Sequence, residues 1–502
     1  MPWNFGKATR FLPKKLKDGL WDFFEYVCYN IYWRINRLKW PLSQGGRFAF
    51  CERRRRCKLR ILIFLTTSIA LMLSGIGATS ISVAFPFITS YFGAPITVAG
   101  WTISVYQLGY TVTMPIVGKI SDVLSRKFTF ITCLALFTFA SAACLFVDSI
   151  GLLIFFRFIQ ALGGGGFMPS SVGIISETYP ESRQKMIGLF SSILPIGHIV
   201  GPNLGGWLVD SFGWRSVFMI NIPLGLAAIV LSFFLLKSGE RKSGSIDFLG
   251  AGLVGGVVAL LMLGLTLLSY ESMARWAWVL FVGSAVFAVL LFRHEERAID
   301  PILDVEILKR KPFVAANVYN LIYGGAVTGV FSLIPAFATA AYQMSASDCG
   351  LLLLPRSIGV IAASFITSMY IMQWGYRWPL IIGSGVTAAS LFFLSMAPAN
   401  IFILYIVMLI AGLAVGVISP TSNNACIELL PQKAATITGV RGMFRQIGGA
   451  VSVTLATLVV EIVGDPVRGY ALAFIGIGVA FIATMPLIFM MPSRPQNPRV
   501  RS

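Results

Sequence analysis

Only a few residues of this chain place a reactive side chain inside strongly apolar sequence. Arg157 and Gln160 lie in the stretch FFRFIQALGGGGF, three residues apart and therefore on one face of a helix. His198, one of two histidines, lies in a second apolar stretch. A cation inside a membrane must be paired or hydrated, and an imidazole titrates near neutral pH. Arg157 and His198 are therefore proton-coupling candidates, and no residue is indicated as catalytic.

Each of these residues also has an ordinary structural explanation. Arg157 lies near one end of its apolar stretch, from which a long side chain can reach the lipid headgroups. His198 can be explained as a hydrogen-bonded packing residue. His294 lies beside Glu295 and Glu296 in a predicted loop, which favours a solvated role.

Small residues recur in GHIVGPNLGGW, which contains Gly197, Gly201, Pro202, Gly205 and Gly206. Glycines spaced by four let two helices approach closely, and an internal proline kinks its helix. The run predicts a helix that packs against a neighbour and rocks against it. Plain packing is the alternative.

The connection GKISDVLSRK joins two apolar stretches and contains Gly118, Asp122, Arg126 and Lys127. Asp122 can accept hydrogen bonds from nearby cations or lie at a helix N-terminus, where an anion is favoured. The connection is predicted to be a latch between two parts of the protein on the cytoplasmic side. A solvated loop charge at Asp122 is the alternative.

The composition requires a membrane. Apolar residues make up 56% of the 502 residues and charged residues 12%, about half the usual share of about 25% in soluble proteins. The apolar residues occur in blocks and do not alternate, which excludes an outer-membrane barrel. The seven cysteines form no C-x-x-C pair, so neither a metal site nor a cofactor is indicated.

Fourteen apolar blocks are long enough for a membrane-spanning helix, which needs about 20 residues. They lie at about 61–84, 97–117, 128–147, 150–175, 185–209, 214–236, 247–269, 276–292, 313–340, 347–372, 378–397, 400–427, 436–462 and 470–491. Every second connection is basic, whereas connections such as 343–348 contain no cation. The positive-inside rule then predicts a multi-pass protein of the cytoplasmic (inner) membrane with both termini in the cytoplasm.

Five regions follow from this pattern. They are a basic N-terminal tail at 1–60, a six-helix half at 61–236, a central two-helix insert with a cytoplasmic loop at 237–312, a second six-helix half at 313–491, and a short cytoplasmic tail at 492–502. The predicted fold is all-α, with two six-helix halves and two extra central helices. Two such halves with a site between them are a recurrent transporter plan.

The first sixty residues contain fifteen Lys and Arg and four Asp and Glu, and thus +11 of the net charge of +19. Aromatic residues such as Trp21 and Trp40 are interspersed among the cations. This segment is predicted to lie as an amphipathic helix on anionic lipid, with plain disorder as the alternative. The location of the charge favours lipid as the partner, and no nucleic acid is indicated.

Several of these motifs together resemble the major facilitator superfamily. The connection at 118–127 resembles its signature loop, Arg157 with Gln160 and Gly163 its fourth-helix motif, and the run at 197–206 its antiporter motif. The string WRSVFMINIPLG at 214–225 and the run RGMFRQIGGAVS at 441–452 narrow the resemblance to the fourteen-helix drug:proton antiporters of the EmrB/QacA type. It covers about residues 61–491.

The resemblance implies the major facilitator fold and export of amphipathic compounds by proton antiport. In this family the arginine at the position of Arg157 is implicated in proton coupling. The first helix of this family usually carries a buried aspartate, and Gly77 occupies that position here, while Ser82 occupies the position of an asparagine. In a host with two membranes the family implies a periplasmic adaptor and an outer-membrane channel as partners.

The substrate cavity is expected between the halves, lined by polar and aromatic side chains of central helices. The candidates are Trp101, Tyr106, Gln107, Gln160, Asn317, Asn320, Tyr323, Asn424 and Arg445.

The leading hypothesis is a secondary active exporter that exchanges a small amphipathic substrate for protons by alternating access. Gly77 motivates a second hypothesis, a proton-independent exchanger or facilitator of an anionic or neutral metabolite. The third is a membrane scaffold or sensor that acts through the basic tail; deleting residues 1–55 would abolish its partner binding but leave the flux of a transporter intact.

Overall fold

A computed structural model of the chain describes residues 46–182, 186–187, 189–190, 193–236, 247–268, 270–298, 310–397, 400–429 and 434–493. Residues 1–45 of the predicted N-terminal tail (1–60) and residues 494–502 of the predicted C-terminal tail (492–502) lie outside the described residues. Within them the backbone forms α-helices with short 3-10 and π segments and no β-strand. The described residues from Leu59 onward form one compact unit.

The helices of the first half alternate with short connections. They are α1 (Gly46–Phe92), α2 (Ile96–Val123), α3 (Arg126–Ala143), α4 (Ile150–Gly165), α5 (Phe167–Thr178), α6 (Ile193–Phe212), α7 (Ser216–Met219) and α8 (Asn221–Leu235). Ser149 begins α4 because its hydroxyl accepts a hydrogen bond from the N–H of Leu152. Gly213, with φ +80°, makes the turn after α6.

Two helices follow before the second half begins. They are α9 (Phe248–Leu267) and α10 (Ala274–Glu295). The two helices pack against each other, and α9 also contacts α2 and α16. His294 bonds the carboxylate of Asp247, the N-cap residue of α9, at 2.7 Å, so it fixes one end of this pair and is not merely a solvated loop residue.

The second half repeats the helical pattern with one broken helix. Its helices are α11 (Lys311–Gly324), α12 (Ile334–Tyr342), α13 (Ala346–Trp374), α14 (Arg377–Ser395), α15 (Ile401–Leu429), α16 (Ala434–Val463) and α17 (Pro466–Ala483). A π segment at Gly325–Gly329 and a 3-10 segment at Val330–Leu333 join α11 to α12. Short π segments within helices frequently mark functional sites.

Twelve of the described helical segments are long and apolar enough to cross a membrane. Twelve of the fourteen predicted spans therefore have a candidate helix, and the number fourteen stays a prediction. The long helices outside this set are α2 and α6. Both carry many polar or small residues because they face protein: α2 packs against α16 and α4, and α6 packs against α13. Large apolar side chains such as Phe234 and Trp278 are exposed on other helices, as expected for a surface that faces lipid.

The glycine run of α6 divides between two neighbours. A Cβ on Gly197 would lie 2.7 Å from the carbonyl oxygen of Met72, and one on Gly205 would lie 2.9 Å from Cβ of Ser80, so both glycines face α1. Gly201 also faces α1, where a Cβ would collide with Oγ1 of Thr79. The run thus holds α6 against the first helix, as its spacing predicts.

The other two residues of this run face the second half. A Cβ on Gly206 would collide with the carbonyl oxygen of Ala346 in α13, and a Cβ on Gly350 would lie 2.6 Å from the carbonyl oxygen of Pro202. Helix α6 is therefore packed backbone to backbone with both halves, and a change at either face affects their relative position.

We expect Gly201→Ala to destabilise the protein, because overpacking a tight contact costs about 1–3 kcal/mol. The thermal unfolding midpoint in detergent should fall by several degrees. Gly476→Ala is the matched control, since nothing lies within 4 Å of a Cβ added there. Equal midpoints for the two variants would contradict the close packing of α1 and α6.

Candidate functional site

Arg157 lies inside the first half and is 0% exposed. Its Nε donates to the carbonyl oxygen of Thr102 at 3.0 Å, and its Nη1 donates to the carbonyl oxygen of Gly77 at 3.0 Å and to Oε1 of Gln160 at 2.6 Å. A buried guanidinium with these partners does not reach the headgroups, so the snorkelling explanation is wrong. The position that carries an aspartate in the family pattern contributes a backbone carbonyl here.

The surroundings of Arg157 are neutral. The guanidinium carbon lies 4.3 Å from the centre of the Tyr106 ring, and the hydroxyl of Tyr106 lies 3.5 Å from the hydroxyl of Ser74. Gln160 donates in turn to the hydroxyl of Ser141 at 2.7 Å. The charge of Arg157 is therefore stabilised by dipoles and an aromatic face, which can hold a cation in a low-dielectric interior.

The two halves share a hydrophobic core at one end of the bundle. The residues of the first half that belong to this core lie at 81–103, 144–153 and 209–218, around the connections that follow α1, α3 and α6. A separate core in the first half, which includes Phe130 and Phe167, contains no residue of the second half. The seam between the halves is thus closed at the end where α6 ends.

A carboxylate caps a helix across this seam. Asp210, near the end of α6, accepts hydrogen bonds from the N–H groups of Ala346 at 3.1 Å and Ser347 at 2.7 Å, at the start of α13. The next N–H, that of Asp348, donates to the hydroxyl of Ser345. The first N–H groups of α13, which have no partner within the helix, are satisfied in this way.

A second carboxylate makes the corresponding contact in the opposite direction. Glu461, near the end of α16, accepts a hydrogen bond from the N–H of Ile96 at 3.0 Å, at the start of α2. The N-cap residue of α2 is Pro95, which supplies no side-chain cap. In each case an acid at the end of a helix in one half caps a helix of the other half. Sequence reasoning missed both, although an acid at the end of an apolar block was the available signal.

The π segment between α11 and α12 also contacts both halves. Gln107 of α2 donates from Nε2 to the carbonyl oxygen of Thr328 at 2.8 Å. Arg356 of α13 donates from Nη2 to the carbonyl oxygen of Val327 at 3.2 Å. These two side chains satisfy backbone carbonyls of the broken helix, which have to be satisfied within the protein because lipid cannot do so.

Cations surround this broken helix. Arg356 is half-buried, with its guanidinium carbon 4.4 Å from the centre of the Phe331 ring. Arg441 is buried and donates to the hydroxyl of Ser422 at 3.4 Å and to the carbonyl oxygen of Ser419 at 3.3 Å. Arg445 is half-buried. Of these three arginines, only Arg445 is a cavity candidate from the sequence. Arg356 and Arg441 could have been found by the same criterion, a cation in or near an apolar block.

His198 is exposed, and Arg356 and Arg445 lie within electrostatic reach of it. The structure brings His198 together with the cations of the second half and not with Arg157. Its proton-coupling role stays a prediction.

Four other candidates lie in the second half. Asn320 is buried and accepts a hydrogen bond from the hydroxyl of Ser422 at 2.7 Å. Tyr323 is buried and stacks on Tyr319, with 6.5 Å between ring centres. Asn317 is buried, and its Nδ2 donates to its own helix. Asn424 is half-buried.

Trp101 lies against the central insert. Its Nε1 donates to the hydroxyl of Thr266 in α9 at 2.9 Å. This contact joins α2 to the inserted helix pair. A place for Trp101 on the cavity wall therefore stays a prediction.

The predicted latch connection begins at the end of α2. Arg126 donates to the carbonyl oxygen of Gly173 and forms an ion pair with Glu177 at 3.4 Å. Lys127 donates to the carbonyl oxygen of Phe233 at 2.6 Å. A Cβ on Gly118 would lie 3.6 Å from Pro169. These contacts all lie within the first half; the side chain of Asp122 lies outside the described residues, so its role in a latch stays a prediction.

The connection between α13 and α14 is held by another carboxylate. The hydroxyl of Tyr376 donates to Oε2 of Glu428 at 3.2 Å. Burial, with the adjacent charge of Glu428, raises the pKa of Tyr376 to about 12, so the hydroxyl keeps the proton that it donates. This bond connects α15 to the connection at the end of α13.

An apolar cleft of about 380 Å³ lies along the contact of α6 with α13. It is lined by Ile199, Val200, Asn203, Leu204, Trp207 and Leu354. The cleft offers an apolar surface near the helices that carry His198 and Arg356.

Two packed helical halves with buried cations beside a broken helix are the architecture of a membrane transporter. The family model described as Major Facilitator Superfamily matches residues 67–452 and 316–502. The chain therefore belongs to this superfamily.

Relatives support the same assignment. The chain is 31% identical over 368 residues to multidrug resistance protein 3 of Bacillus subtilis (strain 168), covering 71% of each chain. It is 29% identical over 418 residues to the tetracenomycin C resistance and export protein of Streptomyces glaucescens, covering 80% of this chain and 76% of that protein. A solved structure of a bacterial homolog of the human lysosomal transporter Spinster has the same fold, with a TM-score of 0.59, 16% identity, and coverage of 86% of this chain and 96% of that one.

We expect Asp210→Asn and Glu461→Gln each to loosen the closed end. A carboxylate at a helix N-terminus contributes about 1 kcal/mol. This corresponds to about a fivefold change in the ratio of molecules that are closed at this end to molecules that are open. Spin labels at Phe212→Cys and Ile462→Cys, both exposed positions on opposite halves, would report the separation in a cysteine-free background. Each variant should raise the fraction of long distances.

Asp465→Asn is the control for this experiment. Asp465 caps α17 within its own half, through the N–H groups of Val467 and Arg468. It should leave the distance distribution unchanged. If all three variants behave alike, the cross-half caps do not hold the seam.

Proposed function

We propose that this chain is a secondary active exporter of small amphipathic compounds in the cytoplasmic membrane, working by alternating access with fourteen spans. The single observation that supports it most directly is the seam, closed at the end of α6 by Asp210 and Glu461. Rocking of the halves would break these caps and open that end. The relatives are named for drug resistance and export, which supports an amphipathic substrate.

The orientation of this closed end follows from the charge pattern. Basic connections lie at the other end of the helices, beside Arg126 and Lys127, and would face the cytoplasm. The state described here would then be closed to the outside and open to the inside, the state that receives substrate for export. The two halves would rotate about the glycine run of α6, because this run contacts both of them.

Proton antiport is part of this proposal, with His198 as its titrating group. The histidine is exposed and within electrostatic reach of Arg356 and Arg445, and a bound anion or cation there would change the charge around the imidazole. Arg157 would position the first half, since its partners are carbonyl groups and the amide of Gln160.

A second candidate is a proton-independent exchanger. The hydrogen bond from Arg157 to the carbonyl oxygen of Gly77 favours it, because a carbonyl replaces a titrating acid at this position. The proposal includes three partners. The resemblance implies a periplasmic adaptor and an outer-membrane channel in a host with two membranes, and the charge pattern implies anionic lipid at the basic N-terminal tail.

The test uses proteoliposomes that hold a pH-sensitive dye and carry a pH gradient. We expect amphipathic compounds to move with counterflow of protons. His198→Gln should keep substrate binding but lose coupling to the gradient, because glutamine does not titrate. His294→Gln is the matched control, since that histidine lies at the end of the inserted pair.

Substrate movement without protons in the unmodified protein would overturn antiport and favour the exchanger. Coupling that survives in His198→Gln would overturn the assignment of His198. No movement of any amphipathic compound, with the purified protein folded, would contradict export itself.

A further inference from the structure

Three arginines of the second half lie together in the interior of the protein. Arg441 and Arg445 are one turn apart on α16, and each acts electrostatically on the other. Arg356 of α13 donates to the carbonyl oxygen of Val327 at 3.2 Å. The neighbouring Thr328 donates from its hydroxyl to the carbonyl oxygen of Arg445 at 3.5 Å. Arg356 and Arg441 both lie within electrostatic reach of Tyr323. Since arginine stays charged in proteins, this arginine cluster holds three like charges.

The first half contributes to the same space. His198 of α6 is within electrostatic reach of Arg356 and Arg445, and Tyr110 of α2 is within reach of Arg445. Helix α16 packs against α2, and Gln107 of α2 donates to the carbonyl oxygen of Thr328 at 2.8 Å, beside the contacts of Arg356 and Arg445. The arginine cluster therefore lies at the seam between the halves. It lies where a substrate that alternates between two sides has to bind.

No carboxylate of the described helices accompanies this cluster. The acids of the second half lie at helix ends: Asp348, Glu428, Glu461 and Asp465. Asp210 and Glu461 are engaged in the caps of α13 and α2. The groups that act electrostatically on Arg356 and Arg441 are tyrosine, cysteine and arginine side chains.

The hydrogen-bonding capacity of the cluster is also unfilled. Nε of Arg356 and Nε of Arg445 are buried and have no hydrogen-bond partner among the described residues. Arg157 also has one buried nitrogen without a partner, Nη2, but it is a single charge whose Nε and Nη1 donate to two backbone carbonyls and Gln160, whereas the cluster holds three like charges. Desolvated cations without a counter-charge are costly, so the cluster calls for an anion that is not part of the protein.

We propose that Arg356, Arg441 and Arg445 form an anion-binding subsite and that the substrates are organic anions, with a carboxylate, sulfonate or phosphate head on an apolar body. This inference rests on the proposed export function and names its substrate class. Guanidinium groups bind such heads through paired hydrogen bonds. Phe331 and Tyr323 provide aromatic surface beside the cluster, and the same cations repel a cationic amphiphile.

The test compares two probes of one shape. Purified full-length protein in nanodiscs of neutral lipid is titrated with a dansyl-labelled alkyl carboxylate and with a dansyl-labelled alkyl trimethylammonium of equal chain length. The carboxylate should bind at least about tenfold more tightly, a difference of about 1.4 kcal/mol. Salt should weaken the carboxylate binding and leave the apolar contribution in place.

Substitutions locate the site. Arg445→Gln and Arg356→Gln should each weaken carboxylate binding about tenfold, and Arg445→Lys should restore part of it because the charge is kept. Arg215→Gln is the matched control, since Arg215 pairs with Asp148 at 3.4 Å in a connection at the closed end. Thermal unfolding of each variant shows whether it is folded. The salt dependence is measured on the unmodified protein, so this part of the test does not require any variant to fold.

The outcomes separate this inference from the proposed function. Transport of cationic but not anionic amphiphiles would overturn the anion subsite and leave export standing. Carboxylate binding that depends on Arg356 and Arg445, without transport of any compound, would support the subsite and count against export. Equal binding of both probes, with no effect of salt, would overturn the inference.

Discussion

A guanidinium inside a bilayer needs acceptors, and the two halves of this protein meet that need differently. In the first half, Arg157 is surrounded by carbonyl oxygens, an amide and the face of Tyr106. In the second half, Arg356 and Arg445 retain buried nitrogens without partners. Arg157 also has a buried nitrogen without a partner, Nη2, but it is a single charge among several acceptors, whereas the second half brings three arginines together.

This difference explains how a missing acid is tolerated. Gly77 stands where related sequences carry a buried aspartate, and its carbonyl oxygen binds Arg157 directly. A side chain there would meet Phe137, since a Cβ would lie 3.1 Å from Cζ of that ring. The first half is thus packed closely around this glycine.

The sequence predicted the helical membrane class, the basic connections and the glycine run of α6, because hydropathy and spacing act locally. It also predicted that Arg157 and Gln160 share a helix face. It did not predict the caps by Asp210 and Glu461, because such bonds join residues far apart in the chain and depend on the state of the seam. Nor did it predict the break at Gly325–Gly329, whose carbonyl oxygens at Thr328 and Val327 accept hydrogen bonds from Gln107 and Arg356, residues distant in the sequence.

The position of the substrate's charged head group decides whether the arginine cluster is a binding site. The most direct measurement is a structure of the protein in nanodiscs determined by electron cryomicroscopy with the dansyl-labelled alkyl carboxylate bound. The account predicts the carboxylate head within hydrogen-bond distance of Nε of Arg356 or Nε of Arg445, with the apolar body along Phe331 and Tyr323. A head group bound elsewhere, with these nitrogens still unpartnered, would contradict it.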